Sequence, residues 1–519
     1  MQQNFSLKLL PSEADSEITV KEYIAKASGQ PVENITGYYL VKKSMDARSR
    51  QVWINLTVKA FINEPFLHRP EEKFIFPDVS QSLKRVIIVG AGPCGLFAAL
   101  KLIEHKIQPI ILERGKDVRA RRRDLAKLNK EGIINPESNY CFGEGGAGTY
   151  SDGKLYTRSN KRGDINRILN LMVQFGADEK ILYEAHPHIG TNKLPDIITD
   201  IRKQIVECGG KFLFEKKVCG FVIADNIIKA VKTSDADSYS GDAVILATGH
   251  SARDIFELLH ANNILIEAKP FALGVRIEHP QSLIDQIQYH CPVRDAHLPP
   301  ASYSLVQQVN EKGVFSFCMC PGGIIAPAST DNNELVVNGW SPSKRNNPYA
   351  NSGMVVTVED KDYASFQQLM GPLAAMAFQQ NVEQKAYTAG GGNFVAPAQR
   401  MIDFVQRKTS QNLPDCSYLP GLASAPLNEV LPSFIYNALA GAFKEFGKKM
   451  RGYYSNEAVV VATESRTSSP VRIPRKDDTL QHPHIQNLYP AGEGAGYAGG
   501  IISAAMDGEK VATAIAKRI

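Results

Sequence analysis

Glycines near both ends of the chain have a spacing that could hold phosphate groups through the backbone. Gly90, Gly92 and Gly95 form G-x-G-x-x-G directly after an apolar run. The first glycine permits a tight turn, the second lets the backbone approach a pyrophosphate, and the third lets a helix pack close to the strand. The helix that follows offers its N-terminal N–H groups and positive dipole end to an anion. Residues 487–500 supply another glycine-rich turn.

The first glycine pattern lies in the context that a nucleotide-binding loop requires. Residues 86–89 and 109–112 are apolar runs typical of buried parallel strands, and residues 96–102 between them are helical in type. Glu113 ends the second run, at the position where a carboxylate accepts hydrogen bonds from ribose hydroxyls. The order of strand, helix, strand and acid therefore predicts a dinucleotide-binding unit.

The glycine pattern alone is weak evidence, because it occurs twice more. The segment before residues 143–148 is not typical of a strand, and residues 494–499 are followed only by one predicted helix. Neither copy can open a second strand–helix–strand unit. One glycine loop binds a dinucleotide phosphate, and two such regions can hold both ends of a long cofactor. We therefore predict that the chain binds FAD.

The bulk composition is ordinary for a soluble globular protein. The 519 residues include 43% hydrophobic and 22% charged side chains, with a net formal charge of +5. This small charge argues against nucleic acid as a partner. We expect no membrane span, since no apolar run reaches about 18 residues, and no signal peptide. Eight scattered cysteines without C-x-x-C argue against a metal site or disulfide scaffold and favour the cytoplasm.

The chain divides by its patterning into four segments of a predicted α/β protein. Residues 1–80 are expected to form a small N-terminal α+β module, for which a ferredoxin-like arrangement is one option. Residues 85–270 are expected to be the first part of a discontinuous Rossmann-type FAD-binding domain. Residues 271–455 are expected to form an inserted α+β antiparallel-sheet substrate domain. Residues 456–519 are expected to complete the FAD-binding domain.

Several segments besides the first glycine loop resemble one bacterial family. They read FGEGGAGTYSDGKL at 142–155, ATGHSARD at 247–254, GVRIEHP at 274–280, CMCPGG at 318–323, ESRTSSPVR at 464–472 and YPAGEGAGYAGG at 489–500. The family is usually described as uncharacterised FAD-dependent, or NAD(FAD)-utilising, dehydrogenases. It belongs to the superfamily of two-domain flavoproteins that resemble glutathione reductase.

The resemblance implies a set of FAD contacts along the chain. The turn at Thr248 and Gly249 is expected to pack near the cofactor, and Glu493 is expected to contact its ribityl and pyrophosphate region. Many relatives have aspartate there, so the carboxylate of Glu493 lies one methylene further out. The helix that starts near Ile501 is expected to aim its N–H groups at the flavin C2 carbonyl. The expected contacts are Gly90, Gly92, Pro93, Cys94, Gly95, Glu113, Arg114, Gly146, Gly148, Ser151, Val218, Thr248, Gly249, Gly492, Glu493, Gly499, Gly500 and Ile501.

Five residues are weak candidates for catalysis. Lys154 could place a charge near the flavin edge, with an exposed lysine as the alternative. Cys318 and Cys320 could form a redox pair or supply a thiol that attacks substrate or flavin, although C-x-C on a strand is poor disulfide geometry. Arg276 and Arg466 could capture a carboxylate or phosphate, and a structural ion pair is the alternative.

The leading interpretation is an FAD-dependent oxidoreductase of the dehydrogenase type. It would pass a hydride through flavin N5 to or from an unidentified small molecule bound between two domains. NAD(P)H as a transient co-substrate stays open, because we find no second complete nucleotide domain. Two alternatives are an FAD-dependent tRNA-modifying enzyme and a non-catalytic flavin-binding redox sensor. The sensor would signal to a protein partner through the N-terminal module.

Overall fold

The fold is taken from a computed structural model, which describes residues 1–157 and 163–519. The N-terminal module is a three-stranded antiparallel sheet in the order β1–β3–β2, with α2 packed against it. Its elements are Gln2–Leu9 (β1), Pro11–Ala14 (α1), Glu17–Ser28 (α2), Ile35–Asp46 (β2) and Trp53–Ile62 (β3). A ferredoxin-like fold needs four strands and two helices of comparable length. That option is therefore wrong for this module, whose first helix has only four residues.

The next part of the chain contains a parallel sheet and a separate antiparallel meander. Strand β4 pairs in parallel with β5 and β10, and β5 pairs with β6. Strands β7, β8 and β9 form the meander. The elements are Arg85–Val89 (β4), Pro93–Glu104 (α3), Gln108–Leu112 (β5), Val118–Glu131 (α4), Ile165–Gln174 (α5), Leu194–Glu207 (α6), Lys211–Leu213 (β6), Val218–Ala224 (β7), Ile227–Thr233 (β8), Ser238–Tyr239 (β9), Ala243–Leu246 (β10), Arg253–Ala261 (α7) and Glu267–Ala268 (β11).

The remaining elements build a second, larger sheet and then return to the first. They are Phe271–Pro280 (β12), Gln281–Tyr289 (α8), Val306–Val309 (β13), Lys312–Cys320 (β14), Ile324–Pro327 (β15), Val337–Trp340 (β16), Tyr349–Val358 (β17), Ala364–Met370 (α9), Ala374–Ala389 (α10), Ala396–Arg400 (β18), Met401–Gln406 (α11), Leu422–Ser424 (β19), Leu427–Val430 (α12), Ser433–Lys449 (α13), Val459–Glu464 (β20), Val471–Arg472 (β21), Leu488–Pro490 (β22) and Ile501–Ala516 (α14).

The large sheet has seven strands in the order β13–β14–β17–β12–β20–β18–β19, and all but its last pair are antiparallel. Strand β20 pairs with β12 near the middle of this sheet. The expected boundary that gave residues 456–519 to the FAD-binding domain is therefore wrong. The antiparallel sheet continues through β20, whose six residues are buried on both faces.

The parallel sheet is completed by the last strand of the chain. Strand β22 pairs in parallel with β10, which gives the order β22–β10–β4–β5–β6. Helix α14 then packs against α3 so closely that a Cβ at Gly508 would lie 2.1 Å from the Cys94 carbonyl oxygen. The α/β class and the parallel sheet agree with the prediction. Both glycine-rich ends consequently lie at one edge of the sheet.

Candidate cofactor-binding cleft

A deep cleft opens at the carboxyl ends of β4, β5 and β10 and extends to β14 of the large sheet. It encloses about 1730 Å³, including its open mouth. The expected contact residues that line it are Gly90, Gly92, Pro93, Cys94, Glu113, Arg114, Gly146, Gly148, Ser151, Val218, Thr248, Gly249, Glu493, Gly499, Gly500 and Ile501. Gly95 and Gly492 do not line the cleft and are packed behind its surface. A Cβ at Gly95 would lie 2.1 Å from the Gly90 carbonyl oxygen, so this glycine serves close packing.

The first glycine loop leaves the start of α3 open to the cleft. Gly90 has φ +103°, and a Cβ there would lie 2.5 Å from the Ala247 carbonyl oxygen. Gly92 is the N-cap residue of α3, and none of the side chains outside positions 158–162, which the structure leaves undescribed, caps the helix. A Cβ at Gly92 would meet no heavy atom closer than Gly146 Cα at 4.0 Å. The N–H end of the helix therefore faces free space, as an anion site requires.

A second glycine loop, residues 143–154, folds directly over the first. The Gly145 N–H donates to the Ala91 carbonyl at 2.9 Å, and a Cβ at Gly146 would lie 3.1 Å from Gly92 Cα. Arg121 is fully buried and holds this loop from behind. It donates to the carbonyl oxygens of Asn139, Tyr140, Glu144 and Gly146. This role could not be predicted, because Arg121 stands in a basic run typical of an exposed helix.

Glu113 ties the two loops together with its buried carboxylate. Its Oε2 accepts from the Ala91 N–H, and its Oε1 accepts from the Gly115 and Gly143 N–H groups, each at 2.9 Å. A carboxylate has about four lone-pair positions, so one remains for a ligand hydroxyl. Glu113 lines the cleft, and the structure adds that this residue also fixes the loops.

The end of the cleft beside Val218 carries a cluster of paired charges. Arg114 contacts Glu137 at 2.7 Å and Asp254 at 2.9 Å, and Lys217 contacts the same two carboxylates at 2.7 and 3.4 Å. The guanidinium of Arg114 also lies 4.1 Å from the centre of the Phe142 ring. Arg114 was expected here. Its partners come from distant parts of the chain and could not be read from local sequence.

The late glycine segment packs on the turn at Thr248 and Gly249. A Cβ at Gly494 would lie 2.4 Å from the Gly249 carbonyl oxygen. Among the residues that the structure describes, the buried Thr248 Oγ1 finds no hydrogen-bond partner. The segment is anchored from below by Asp507, which accepts from the Gly492 N–H at 2.8 Å and pairs with Arg475 at 2.6 Å. These two charged residues were not predicted.

Helix α14 opens on the same cleft as α3. Its N-cap residue is Gly500, and no side chain of the described part of the chain caps it. A Cβ at Gly499 or Gly500 would meet nothing within 4 Å. The cleft thus receives two uncapped helix N-termini, one from each end of the chain.

Glu493 and His250 form a second polar feature of the cleft wall. Their nearest side-chain atoms, Glu493 Oε2 and His250 Nε2, are 3.8 Å apart. Burial raises the pKa of Glu493 to about 7, although 23% of its side chain is reached from the cleft. Burial, with Arg466 as a second cause, lowers the pKa of His250 to about 4. Near neutral pH the pair therefore holds an uncharged imidazole beside a carboxyl group that is close to its titration midpoint.

The structure separates the five catalytic candidates. Lys154, Cys318 and Arg466 line the cleft. Arg276 is fully buried and pairs with Glu464 at 2.7 Å, so it cannot capture a substrate. Cys320 is also fully buried.

Arg466 lines the cleft, but its positive charge is already paired with buried carboxylates. It pairs with Glu383 at 2.9 Å and Glu334 at 3.2 Å, and Arg253 pairs with the same two carboxylates. Burial opposes ionisation of Glu383, but the two arginines lower the pKa of this carboxyl to about 2. Arg466 belongs to a structural ion-pair network, which leaves Lys154 and Cys318 as the cleft-lining candidates outside that network.

Comparison with known proteins places the chain in a family. A protein of Clostridium beijerinckii, described as uncharacterized, is 38% identical over 523 residues, which are 97% of each chain. The chain belongs to the same family as this clostridial protein. Within the chain, residues 270–467 match the family model "FAD-dependent protein, C-terminal domain-like", and residues 1–61 match a domain of unknown function. The first match supports the FAD dependence expected from the sequence.

Solved structures with partial similarity include several redox proteins. Glycine oxidase from Bacillus cereus is 11% identical, with 84% of this chain and 96% of that chain covered and a TM-score of 0.32. L-proline dehydrogenase from P. horikoshii is 13% identical, with coverage of 85% and 94% and a TM-score of 0.31. Similarity at this level does not define the activity of a family member. In the described part of this member, no helix is both long and apolar enough to cross a bilayer.

Proposed function

We propose that the protein is an FAD-dependent oxidoreductase of the dehydrogenase type, with FAD bound along the cleft. The proposal depends on one observation: two uncapped helix N-termini, those of α3 and α14, open on a single cleft lined by three glycine-rich segments. A single anion would need only one such helix. Two helices and an elongated groove suit a ligand that is charged in its middle and electron-accepting at one end.

The residues present fit this group. The glycine at position 92 leaves the space before α3 empty, where any side chain would project. The Thr248 hydroxyl is buried in the same wall, with no partner in residues 1–157 and 163–519. Such an orphaned polar atom is costly unless a ligand or water satisfies it. Backbone N–H groups, rather than lysine or arginine, would therefore carry the diphosphate.

Each part of the cleft can be given a role in holding the cofactor. The N–H groups at the start of α3 would bind the diphosphate, and the remaining lone pair of Glu113 would accept from a ribose hydroxyl. The backbone at Val218 would face the adenine. Glu493, when protonated, can donate a hydrogen bond to the ribityl chain. The start of α14 would stabilise negative charge on the ring system.

Bound FAD would supply hydride transfer at its N5 atom. The chain's own contribution to the reaction is concentrated at the end of the cleft where β14 meets the second glycine loop. Lys154 there is a cation, and its Nζ lies 3.6 Å from Asp152. A small-molecule substrate would bind at this end. NADH or NADPH would enter the same end as a transient donor, since we find no second dinucleotide-binding unit in the described residues.

The proposal is tested by the visible spectrum of the purified protein, followed by extraction and identification of the cofactor. We expect flavin absorption near stoichiometric occupancy and FAD in the extract. Anaerobic mixing with NADH and with NADPH then tests the donor through bleaching of the flavin band. Protein that is colourless and does not bind added FAD would contradict the proposal. A flavin that no donor reduces would favour the redox sensor.

A further inference from the structure

Cys318 occupies an unusual backbone position at the edge of the cleft. Strand β14 loses its register with β17 between Phe317 and Cys320, which leaves Cys318 in a bulge. Its φ is +46°, in the left-handed region that a residue with a side chain rarely adopts. Such conformations cost about 1–3 kcal/mol and persist only where the surroundings enforce them. The bulge presents Cys318 to the cleft, where Phe317 and Lys154 also lie.

The surroundings that enforce this bulge are cationic. Arg276, paired with Glu464, donates through Nη2 to the Cys318 carbonyl at 2.7 Å. The Lys154 ammonium donates to the carbonyl of Met319, the next residue. Cys320 Sγ lies 3.2 Å from the Cys318 carbonyl oxygen. Two positive side chains and a second thiol thus converge on one cysteine.

The charges around the Cys318 thiol favour its ionised form. The neighbouring Cys320 side chain, followed by Lys154 and Arg276, lowers the pKa of Cys318 against the effect of burial. Asp152 opposes this shift. The same coupling raises the pKa of Cys320. Of the two cysteines, Cys318 lines the cleft and Cys320 is fully buried.

We propose that Cys318 is a nucleophilic site of the cleft and takes a ligand with an electron-poor carbon, of the conjugated carbonyl class. The Cys318 sulfur forms a bond to the β-carbon, and the C=C electron pair moves to the carbonyl oxygen. Lys154 stabilises the resulting enolate, and a proton from solvent then completes the α-carbon. No oxidant or reductant is needed. The inference extends the proposed function, but its chemistry does not require flavin.

The test uses N-ethylmaleimide, a conjugated carbonyl compound, on the full-length protein as purified, with its flavin content measured separately. Peptide mass spectrometry measures alkylation of Cys318 and of the exposed Cys219 between pH 5 and 8. At pH 6 a thiol of low pKa has a far larger thiolate fraction but is intrinsically less nucleophilic. The net expectation is about tenfold faster labelling of Cys318. Labelling of Cys318 at or below the rate of Cys219 would overturn the proposal.

Two variants and a second readout distinguish nucleophilicity from mere exposure. Lys154→Met should slow labelling at pH 6 and raise its pH midpoint. Cys320→Ser keeps a hydrogen-bond donor and should stay close to the native profile, whereas Cys320→Ala should shift it upward. The thiolate absorbance lost in Cys318→Ser, followed against pH, gives the ionisation without any reagent. A midpoint above pH 8 would overturn the proposal, whatever the flavin content measured separately.

Discussion

A Cβ built at Gly492 would lie 2.9 Å from the Cβ of Cys94, so the two glycine-rich ends of the chain are in direct contact. Cys94 is in the first turn of α3, and Gly492 follows β22. No side chain fits between them. The contact shows that the early and late segments form one wall of one cleft, as the sequence-based hypothesis of a shared elongated ligand requires.

Gly92→Val should produce folded protein without flavin. The residue has φ −74°, which valine tolerates, and a Cβ there has no contact closer than 4.0 Å, so the fold is not strained. The side chain would instead occupy the space before α3. We expect bound FAD, measured as the ratio of flavin to protein absorbance, to fall at least tenfold, which corresponds to about 1.4 kcal/mol of binding free energy.

The control for this variant is Gly220→Val. Gly220 lies in strand β7, and its Cβ would make only ordinary contacts, the nearest at 3.6 Å to Lys232. This variant should keep its flavin and its melting temperature. Full flavin content in Gly92→Val would refute the assignment of the loop.

The stability of flavin-free protein should fall with pH because of Glu493. Its pKa is raised from 4.5 to about 7, so the unfolded chain ionises at lower pH than the folded one. The stabilising difference is fully present below about pH 4.5 and is lost as pH rises to about 7. The loss is on the order of 3 kcal/mol at most. Glu493→Gln should remove this slope in urea unfolding at pH 5 to 8.

Glu207→Gln, on the exposed surface of α6, serves as the matched control and should retain the native pH slope. If Glu493→Gln and the native protein gave parallel curves of unfolding free energy against pH, the carboxyl would not titrate as inferred.

Arg276→Met should destabilise the protein strongly. The substitution leaves the buried Glu464 without its partner and removes a donor from the Cys318 carbonyl. Removing one member of a buried ion pair costs about 3–5 kcal/mol. The free energy of unfolding in guanidinium chloride measures this loss. The double variant Arg276→Met/Glu464→Leu should recover part of it, because no unpaired charge is then buried.

A surface ion pair gives the comparison for that experiment. Arg48 contacts Asp46 at 2.7 Å with its side chain 89% exposed, so Arg48→Met should cost less than about 1 kcal/mol. Equal losses for Arg276→Met and Arg48→Met would show that the buried pair does not support the sheet as described.

Gly508→Ala should lower stability, although alanine favours a helix over glycine by about 1 kcal/mol. The new Cβ would lie 2.1 Å from the Cys94 carbonyl oxygen, so α14 must move away from α3. Overpacking of this kind costs about 1–3 kcal/mol. The control is Ala514→Gly on the same helix. The change in its thermal unfolding measures how much helix propensity alone contributes to stability. A Gly508→Ala variant more stable than the native protein would mean that the helices are not in close contact.

The nucleotide-binding half of the fold was predictable because its signals are local. The apolar strand at 86–89, its glycines and the helix that follows are read within one short stretch of sequence. Strand β20 was misassigned for a physical reason. Its residues are buried on both faces, as in a parallel strand, so periodicity cannot show that its neighbours are antiparallel.

The roles of charged residues in the site were the least predictable part. Arg276 and its partner Glu464 are 188 positions apart in the sequence, and no local sequence pattern predicts their contact. The bulge at Cys318 is likewise set by pairing with β17 and by a donor from β12. The sequence could therefore identify residues near the cleft. It could not show which of their charges are paired with an opposite charge in the fold.

Strand β22 and helix α14 have a consequence for biosynthesis. The ribosome makes the first glycine loop early, but the elements that shelter α3 emerge only after the whole antiparallel sheet has been translated. Until then the face of α3 that packs on α14 is left uncovered, a state prone to aggregation. Loading of the nucleotide must accordingly be a late event in the life of the polypeptide, and nascent chains that stall before residue 488 should need chaperone protection.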